Sequence, residues 1–255
     1  MDRFVYTALN GNLDATLPRL QLTNELANLS TTGFKRSFAI ATKSLKIEGP
    51  GFDTRFEPST TGIDRVSLTA GPKMVTGNPL DIAMNGNTVL GVTASNGDLA
   101  FTRRGDMRVN SAGQLEIGTG QVVRGQSGPL TVPPGYALEI AGDGSVYANS
   151  PDKSKPAASV LVGKLLLRES TGTGLERRED GLFKIAGDQT AGGADIKPGS
   201  AAPSITNGTL EGSNVTPFDA MVRLMDFTRT FESRMKFIKE GSNLDEAGAS
   251  MMKAV

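Results

Sequence analysis

Cysteine, histidine and tryptophan are missing from all 255 residues, and aromatic side chains as a group make up 5%. Without Cys or His there is no disulfide, no thiolate- or imidazole-bound zinc and no haem ligand. A Ser-His-Asp triad or a Cys-His dyad is excluded for the same reason. Any chemistry would rest on carboxylates, Lys, Ser, Thr or Tyr. A cysteine-free chain suits any redox compartment, so this absence does not locate the protein. Charge of either sign is not in excess, because 27 Lys and Arg balance 27 Asp and Glu. Neither a nucleic-acid footprint nor an acidic tail is therefore expected. No apolar run approaches the length of a membrane-spanning helix, so no membrane insertion is expected. The opening Met1-Asp2-Arg3-Phe4-Val5-Tyr6 lacks the basic and apolar regions of a cleaved signal peptide. Export, if it occurs, is expected to use a route that needs none.

What the chain does have is glycine, 31 residues of it, and a hydrophobic fraction of 38%. That composition suits a modest core and many turns. At the N-terminus Tyr6, Leu9, Leu13, Leu17, Leu20, Asn24 and Ala27 recur at gaps of three or four, the stripe of a helix. Gly11 and Pro18 weaken it, and Pro18 predicts a kink over residues 14–17. Thr31-Thr32-Gly33 is a stop signal, followed by Phe34 as an exposed or docked anchor. At the other end Thr216 reads as an N-cap, Pro217 as the first helical residue and Asp219 as its capping partner. Met221, Leu224, Thr228, Phe231, Met235 and Ile238 follow at gaps of 3-4-3-4-3, a heptad seam. Gly241-Ser242-Asn243 is expected to break this helix, with Leu244, Ala247 and Met251 continuing a short last piece.

Between these ends the period falls to two. Pairs such as Leu99/Phe101, Met107/Val109, Leu115/Ile117 and Leu138/Ile140 alternate with polar or small residues. Asn85-Gly86, Asn96-Gly97, Gly105-Asp106, Asp143-Gly144 and Asp180-Gly181 separate them as turns. Closely spaced strands of this kind predict an antiparallel sheet or small barrel. The apolar run over 160–167 is expected to be the most buried strand. Residues 187–208, rich in Gly, Ala, Pro, Ser and Thr, read as a loop or linker. Two helical seams at opposite ends most simply pack on each other. Left unpaired, they would pack on neighbouring subunits.

No motif carries chemistry. Residues 81–92 begin like a calcium loop but have Ala83 and Val92 where ligands are needed. Gly192-Gly193-Ala194-Asp195 occurs once, too little for a calcium-binding repeat. Gly118-Thr119-Gly120 and Gly172-Thr173-Gly174 lack the Lys-Ser/Thr or third glycine of a phosphate loop. Glu176-Arg177-Arg178-Glu179-Asp180 holds a carboxylate pair of the type glycosidases use, but reads as a solvated strand-turn edge. Arg103-Arg104 reads as surface. Met221, Met225 and Met235 read as helix packing. No catalytic, metal or cofactor site is expected, and no small-molecule substrate.

Three segments, in order, resemble the axial rod and hook family of the bacterial flagellum. Asn24-Glu25-Leu26-Ala27-Asn28 with Thr32-Gly33-Phe34-Lys35 is similar to the family's N-terminal signature, with Glu25 in place of an Asn. Thr76-Gly77-Asn78-Pro79-Leu80-Asp81-Ile82-Ala83-Met84-Asn85-Gly86 resembles the entry into its β domain, although Asn87-Thr88-Val89-Leu90 replaces the usual Asp-Gly-Phe-Phe. Gly208-Thr209-Leu210-Glu211-Gly212-Ser213-Asn214-Val215 resembles the segment before its C-terminal helix. The resemblance covers essentially the whole chain. Met1-Asp2-Arg3-x-x-Tyr6 and the short middle point to a proximal-rod member, with a distal-rod member next.

This resemblance implies an α+β fold in which N- and C-terminal α-helices pair as a coiled coil around an inserted antiparallel β-rich domain. Residues 1–36 would be the N-terminal helix and 37–75 an extended connector. Residues 76–208 would be the outer domain and 209–255 the C-terminal helix. It implies a structural subunit and not an enzyme. Its partners would be itself, neighbouring rod subunits and, in transit, the flagellar type III export apparatus. It would lie in the periplasmic part of the basal body, transmitting torque and enclosing the export channel. The assembly interface would use Tyr6, Leu9, Leu13, Leu17, Leu20, Asn24, Leu26, Ala27, Asn28, Gly33 and Phe34. From the other end it would use Leu210, Glu211, Ser213, Asn214, Val215, Met221, Leu224, Thr228, Phe231, Met235 and Ile238. Two other classes are consistent with parts of the sequence: a secreted β-rich binding module and a carboxylate hydrolase built on Glu176 and Asp180.

Overall fold

The computed structural model describes residues 16–38, 41–46, 56–61, 65–150, 159–197 and 201–253. They fall into two units. One comprises Asn28–Phe38 and Asp64–Val215, and the other Met1–Ala27, Ala39–Ile63 and Thr216–Val255.

In the first unit the alternating segments form short strands, and every strand pairing among the described residues is antiparallel. The largest sheet runs in the order Ser37–Phe38, Arg65–Val66, Leu175–Arg177, Phe183–Ile185, Leu99–Thr102, Thr88–Thr93, Val122–Gly125, Leu115–Ile117, Met107–Val109. Its central strands are covered on both faces. Leu90, Val92 and Ala100 enter one apolar cluster with Leu115, Ile117 and Val123. Val89, Leu99 and Phe101 enter another with Leu166, Phe183 and Ile196. Period-two geometry sends successive side chains to opposite faces, so a doubly covered strand is mostly apolar along its length.

Smaller sheets attach to this one. Ala137–Ile140, Ser145–Asn149 and Ser159–Lys164 form a three-stranded sheet, while Ile205–Asn207 pairs with Ile82–Met84 and Thr209–Glu211 with Lys73–Val75. Two expectations are corrected here. The run 160–167 is not one buried strand. Val160 and Leu161 are 52% and 57% exposed, whereas Leu165, Leu166 and Leu167 are buried. The first part is an edge strand, and apolar composition brings burial only where something covers the face. The segment 187–208 is also more than a linker. Ile196 is buried, and Ile205–Asn207 is a paired strand. Two isoleucines among small residues were enough to dock it.

The second unit contains helix α1 (Thr16–Ala27), helix α2 (Pro217–Lys253) and a hairpin of Ala41–Lys46 with Phe56–Thr61. Pro18 lies in the first turn of α1, where a missing N–H costs little. The kink expected over 14–17 falls across the edge of the described residues. The Ala220 N–H donates to the Thr216 carbonyl at 3.1 Å, closing the first turn of α2 where the sequence places it. Asp219 adds negative charge at that end, which the helix dipole favours. The break expected at Gly241-Ser242-Asn243 does not occur, because α2 runs continuously to Lys253. One glycine costs a helix about 1 kcal/mol, too little to stop one of this length. The helices meet where Arg223 Nη2 lies 3.0 Å from Glu25 Oε2.

The turn at Asp143-Gly144 carries a pH signature. The backbone N–H and hydroxyl of Ser145 donate to the Asp143 carboxylate at 3.0 and 2.9 Å, and Lys164 Nζ donates at 3.1 Å. The Ser145 N–H foremost, with the Lys164 bond behind it, lowers the Asp143 pKa from 3.8 to about 2. A folded pKa below the unfolded one stabilises the fold above the unfolded value, and that contribution is lost as pH falls through the folded value. A side-chain carboxyl NMR titration is therefore expected to find Asp143 near 2, and Asp143→Asn to flatten acid destabilisation between about pH 4 and pH 2.

Candidate assembly interface

Three charged side chains are buried together in the β unit. Glu211, Lys35 and Arg103 are 1%, 0% and 1% exposed. Lys35 Nζ donates to Glu211 Oε1 at 2.7 Å, and Arg103 Nε to Oε2 at 2.9 Å. The Gly71 N–H adds a bond to Oε1 at 3.0 Å. Two cations against one carboxylate leave a positive excess, and backbone carbonyls absorb it. Arg103 donates to the carbonyls of Gly86 and Thr88, both at 2.7 Å, and of Met84 at 3.1 Å. Lys35 Nζ also donates to the Thr69 carbonyl at 2.9 Å. Burial lowers the pKa of both Lys35 and Arg103 despite the attraction of Glu211.

Around these charges the two terminal signatures interlock. Gly33 has φ +69°, a left-handed turn that suits glycine, and a Cβ there would lie 2.5 Å from the Arg103 carbonyl oxygen. Its N–H donates to the Glu211 carbonyl at 2.7 Å. Phe34 is docked, with the Arg177 guanidinium 4.3 Å from its ring centroid. Arg177 also donates to the Lys35 carbonyl. Asn214 completes the joint. Its N–H donates to the Phe34 carbonyl at 3.2 Å, its Oδ1 accepts from the Arg36 N–H at 2.7 Å, and its Nδ2 donates to the Ser67 carbonyl at 3.0 Å. Ser213 and Val215 are buried beside it, while Leu210 and Asn214 are half-buried.

The helical stripes have a different environment. Tyr6, Leu9 and Leu13 lie outside the described residues, and Leu17 is placed in α1 by its backbone. Leu20, Asn24 and Ala27 are exposed, while Leu26 and Asn28 are half-buried. The buried ridge of α1 is instead Leu22 and Glu25. On α2, Met221, Leu224, Phe231 and Met235 are 56%, 40%, 39% and 44% exposed. Thr228 is exposed and Ile238 half-buried. The covered side of α2 is another heptad series, Ala220, Phe227, Arg234, Gly241 and Gly248, spaced by seven and all buried or half-buried. It sits one residue, about 100°, from the series of Met221, Thr228 and Met235. The structure thus brings the two signatures together and leaves most of the described residues of both stripes partly exposed.

Sequence reasoning missed Lys35 and Arg103. Arg103-Arg104 was expected at the surface, and for Arg103 this is corrected. Arg103 continues a strand whose Leu99–Thr102 are all buried, and that continuity was the available signal. Arg104 is half-exposed and pairs with Asp106 at 2.6 Å. The carboxylates considered for hydrolysis are engaged by cations, Glu176 with Lys184 at 3.7 Å and Asp180 with Arg178 at 3.2 Å. Among the described residues no cluster of three or more Asp or Glu is arranged to hold a metal. No described helix is long and apolar enough to cross a membrane.

Removing one partner from a buried ionic cluster is far more costly than the cluster's net contribution to stability. Glu211→Gln strands two buried cations and is expected to cost about 3–5 kcal/mol in urea unfolding. Lys35→Met leaves Glu211 and Arg103 as a neutral pair and is expected to cost clearly less. Equal losses for the two variants would show that charge balance does not govern this cluster.

Comparison with known proteins gives consistent results. A model described as "Flagellar basal body rod FlgEFG protein C-terminal" matches residues 206–251, and one described as "Flagellar hook protein FlgE/F/G D1 domain" matches residues 83–148. The chain is 36% identical to the flagellar basal-body rod protein FlgF of Salmonella typhimurium over 93% of each chain. It is 36% identical to FlgF of Escherichia coli, again over 93% of each. It is 28% identical to the rod protein FlgG of Buchnera aphidicola over 85% of this chain and 87% of that one.

Proposed function

The chain belongs to the family of flagellar basal-body rod proteins, most like FlgF with FlgG next, and on that premise we propose that it is a proximal-rod subunit. It polymerises with itself and with neighbouring rod subunits into the tubular drive shaft that transmits torque and encloses the export channel. It reaches the periplasmic part of the basal body through the type III export apparatus. The paired helices α1 and α2 are assigned to the inner tube of the rod, and the β unit, which takes in residues 28–36 and 209–215 as well, to its outer domain. A distal-rod role is the second reading, favoured by the FlgG relatives.

The observation that carries this reading is the exposed heptad seam of α2. Its 37 residues extend about 55 Å at about 1.5 Å per residue. Along it Met221, Leu224, Phe231 and Met235 present apolar surface to solvent, while Phe218, Met225, Leu244 and Met251 add to the exposed apolar total. A soluble monomer rarely keeps such a strip, and a polymer subunit uses it. Contacts of this kind that repeat without closing build a tube or filament. At the α1 end Leu20 and Ala27 are exposed in the same way.

The seam makes a discriminating test. Leu224 and Phe231 lie on α2, outside the β unit, and are 40% and 39% exposed, so Leu224→Glu with Phe231→Glu is expected to leave the β unit folded. In the assembled rod each carboxylate would be desolvated against apolar neighbours, at a cost of several kcal/mol (order of magnitude). The doubly substituted strain is expected to export the subunit, fail to complete the rod and lose swimming. A motile strain would refute the seam's role. Crosslinking to neighbouring subunits would separate proximal from distal placement.

A further inference from the structure

The face of α1 that is removed from water contains a carboxylate. Glu25 is 2% exposed, one turn from buried Leu22. Its Oε2 lies 3.0 Å from Arg223 Nη2 on α2, and the same guanidinium nitrogen lies 2.9 Å from Asp219 Oδ2, one turn earlier on α2. A carboxylate taken out of water needs a cation against it, and removing that cation is strongly unfavourable. The positions on α2 therefore matter as much as the pair itself. Sliding α2 by one turn would bring Asp219, Ala220, Asp226 or Phe227 towards the position of Arg223. Sliding it by one heptad would bring Thr216 or Thr230. None of these is basic. The next Arg on that face of the helix is Arg234, eleven residues and about 16 Å away.

We propose that Glu25 and Arg223 form a register pin: a positioning pair that fixes which turn of α2 lies against α1 and selects this helix as the partner. The apolar contacts of the two helices do not select a register by themselves, because hydrophobic burial is non-directional. A single buried polar or charged position is the established physical means of choosing register and partner in helix pairing. Asp219 holds the guanidinium in place from its own helix, and it would repel Glu25 if α2 slipped by a turn. In the assembly, the pin would keep α1 on its own α2 and away from the helices of neighbouring subunits. That last consequence rests on the rod reading; the register does not.

The absence of cysteine makes the test direct, since the full chain can carry spin labels at Arg19→Cys and Asp226→Cys alone. Both positions are exposed. The pin predicts one narrow inter-label distance in the otherwise unaltered chain. Glu25→Lys or Arg223→Glu alone broadens or shifts it, and the two together restore it. Glu25→Gln, which keeps the shape, broadens it without loss of helix by circular dichroism. A distribution that is already broad in the unaltered chain overturns the proposal. So does one that stays narrow and unmoved in Glu25→Lys, or one that the double exchange does not restore. Swimming is scored separately. Restored distance without restored swimming would count against the rod reading of these helices and leave the pin intact.

Discussion

The Glu211 carboxylate, held between Lys35 and Arg103 with no access to water, is the constraint on which the β unit depends. Each of its oxygens accepts from a cation, and its own backbone carbonyl accepts from Gly33. The three charges come from sequence positions separated by 176 and 108 residues. The cluster therefore joins the segment that follows α1, the sheet hairpin and the segment that precedes α2. Hydrophobic burial could bring these segments together but would not choose their alignment. A buried carboxylate requires its cations within about 3 Å, so it tolerates one arrangement. The carbonyls of Met84, Gly86, Thr88 and Thr69 belong to the same constraint, because they take up the charge that Glu211 does not neutralise.

The last residues of the β unit are held by the same network. Asn214 bonds to four backbone partners, at Phe34, Arg36, Ser67 and Thr69, Val215 is buried, and the helix begins at Pro217. Residues that look like an interface in the sequence thus divide into two kinds. Gly33, Phe34, Glu211, Ser213, Asn214 and Val215 are occupied within their own subunit. Met221, Leu224, Thr228, Phe231 and Met235 are not. On the proposed reading, the first kind builds the β unit and the second is left for neighbouring subunits.

Much of this was legible in the sequence, and the failures have physical causes. The start of α2 followed from Thr216, Pro217 and Asp219 because capping is local chemistry. The turns at Asn85-Gly86 and Asn96-Gly97 followed because left-handed backbone selects glycine there, with φ +54° and +85°. Burial over 160–167 was misjudged because an apolar strand looks the same whether it lies at a sheet's centre or its edge. Arg103 was misplaced because its environment is set by Glu211, far along the chain. Gly241 was given too much weight, since propensity is a weak force beside a long continuous helix. The resemblance names Glu211 and Asn214 as interface residues, but it does not reveal that both act inward.

The two heptad series of α2 show where periodicity stops being informative. A helix can carry two adjacent stripes of the same period, and a hydrophobic pattern finds the more apolar one. Here that is Met221, Leu224, Thr228, Phe231 and Met235. The stripe covered within the subunit is Ala220, Phe227, Arg234, Gly241 and Gly248, with Arg223 beside it. It would score poorly in any apolar search, since it contains small residues and Arg. This ordering is physically reasonable. A contact within the chain has a high effective concentration and does not need a large apolar area to form. A contact between subunits starts from separate molecules and must offset the loss of their freedom, so it takes the larger side chains. The most apolar stripe on an end helix is then evidence for a partner outside the chain. The weaker stripe beside it, marked by a buried charge pair, is where the chain's own packing should be sought.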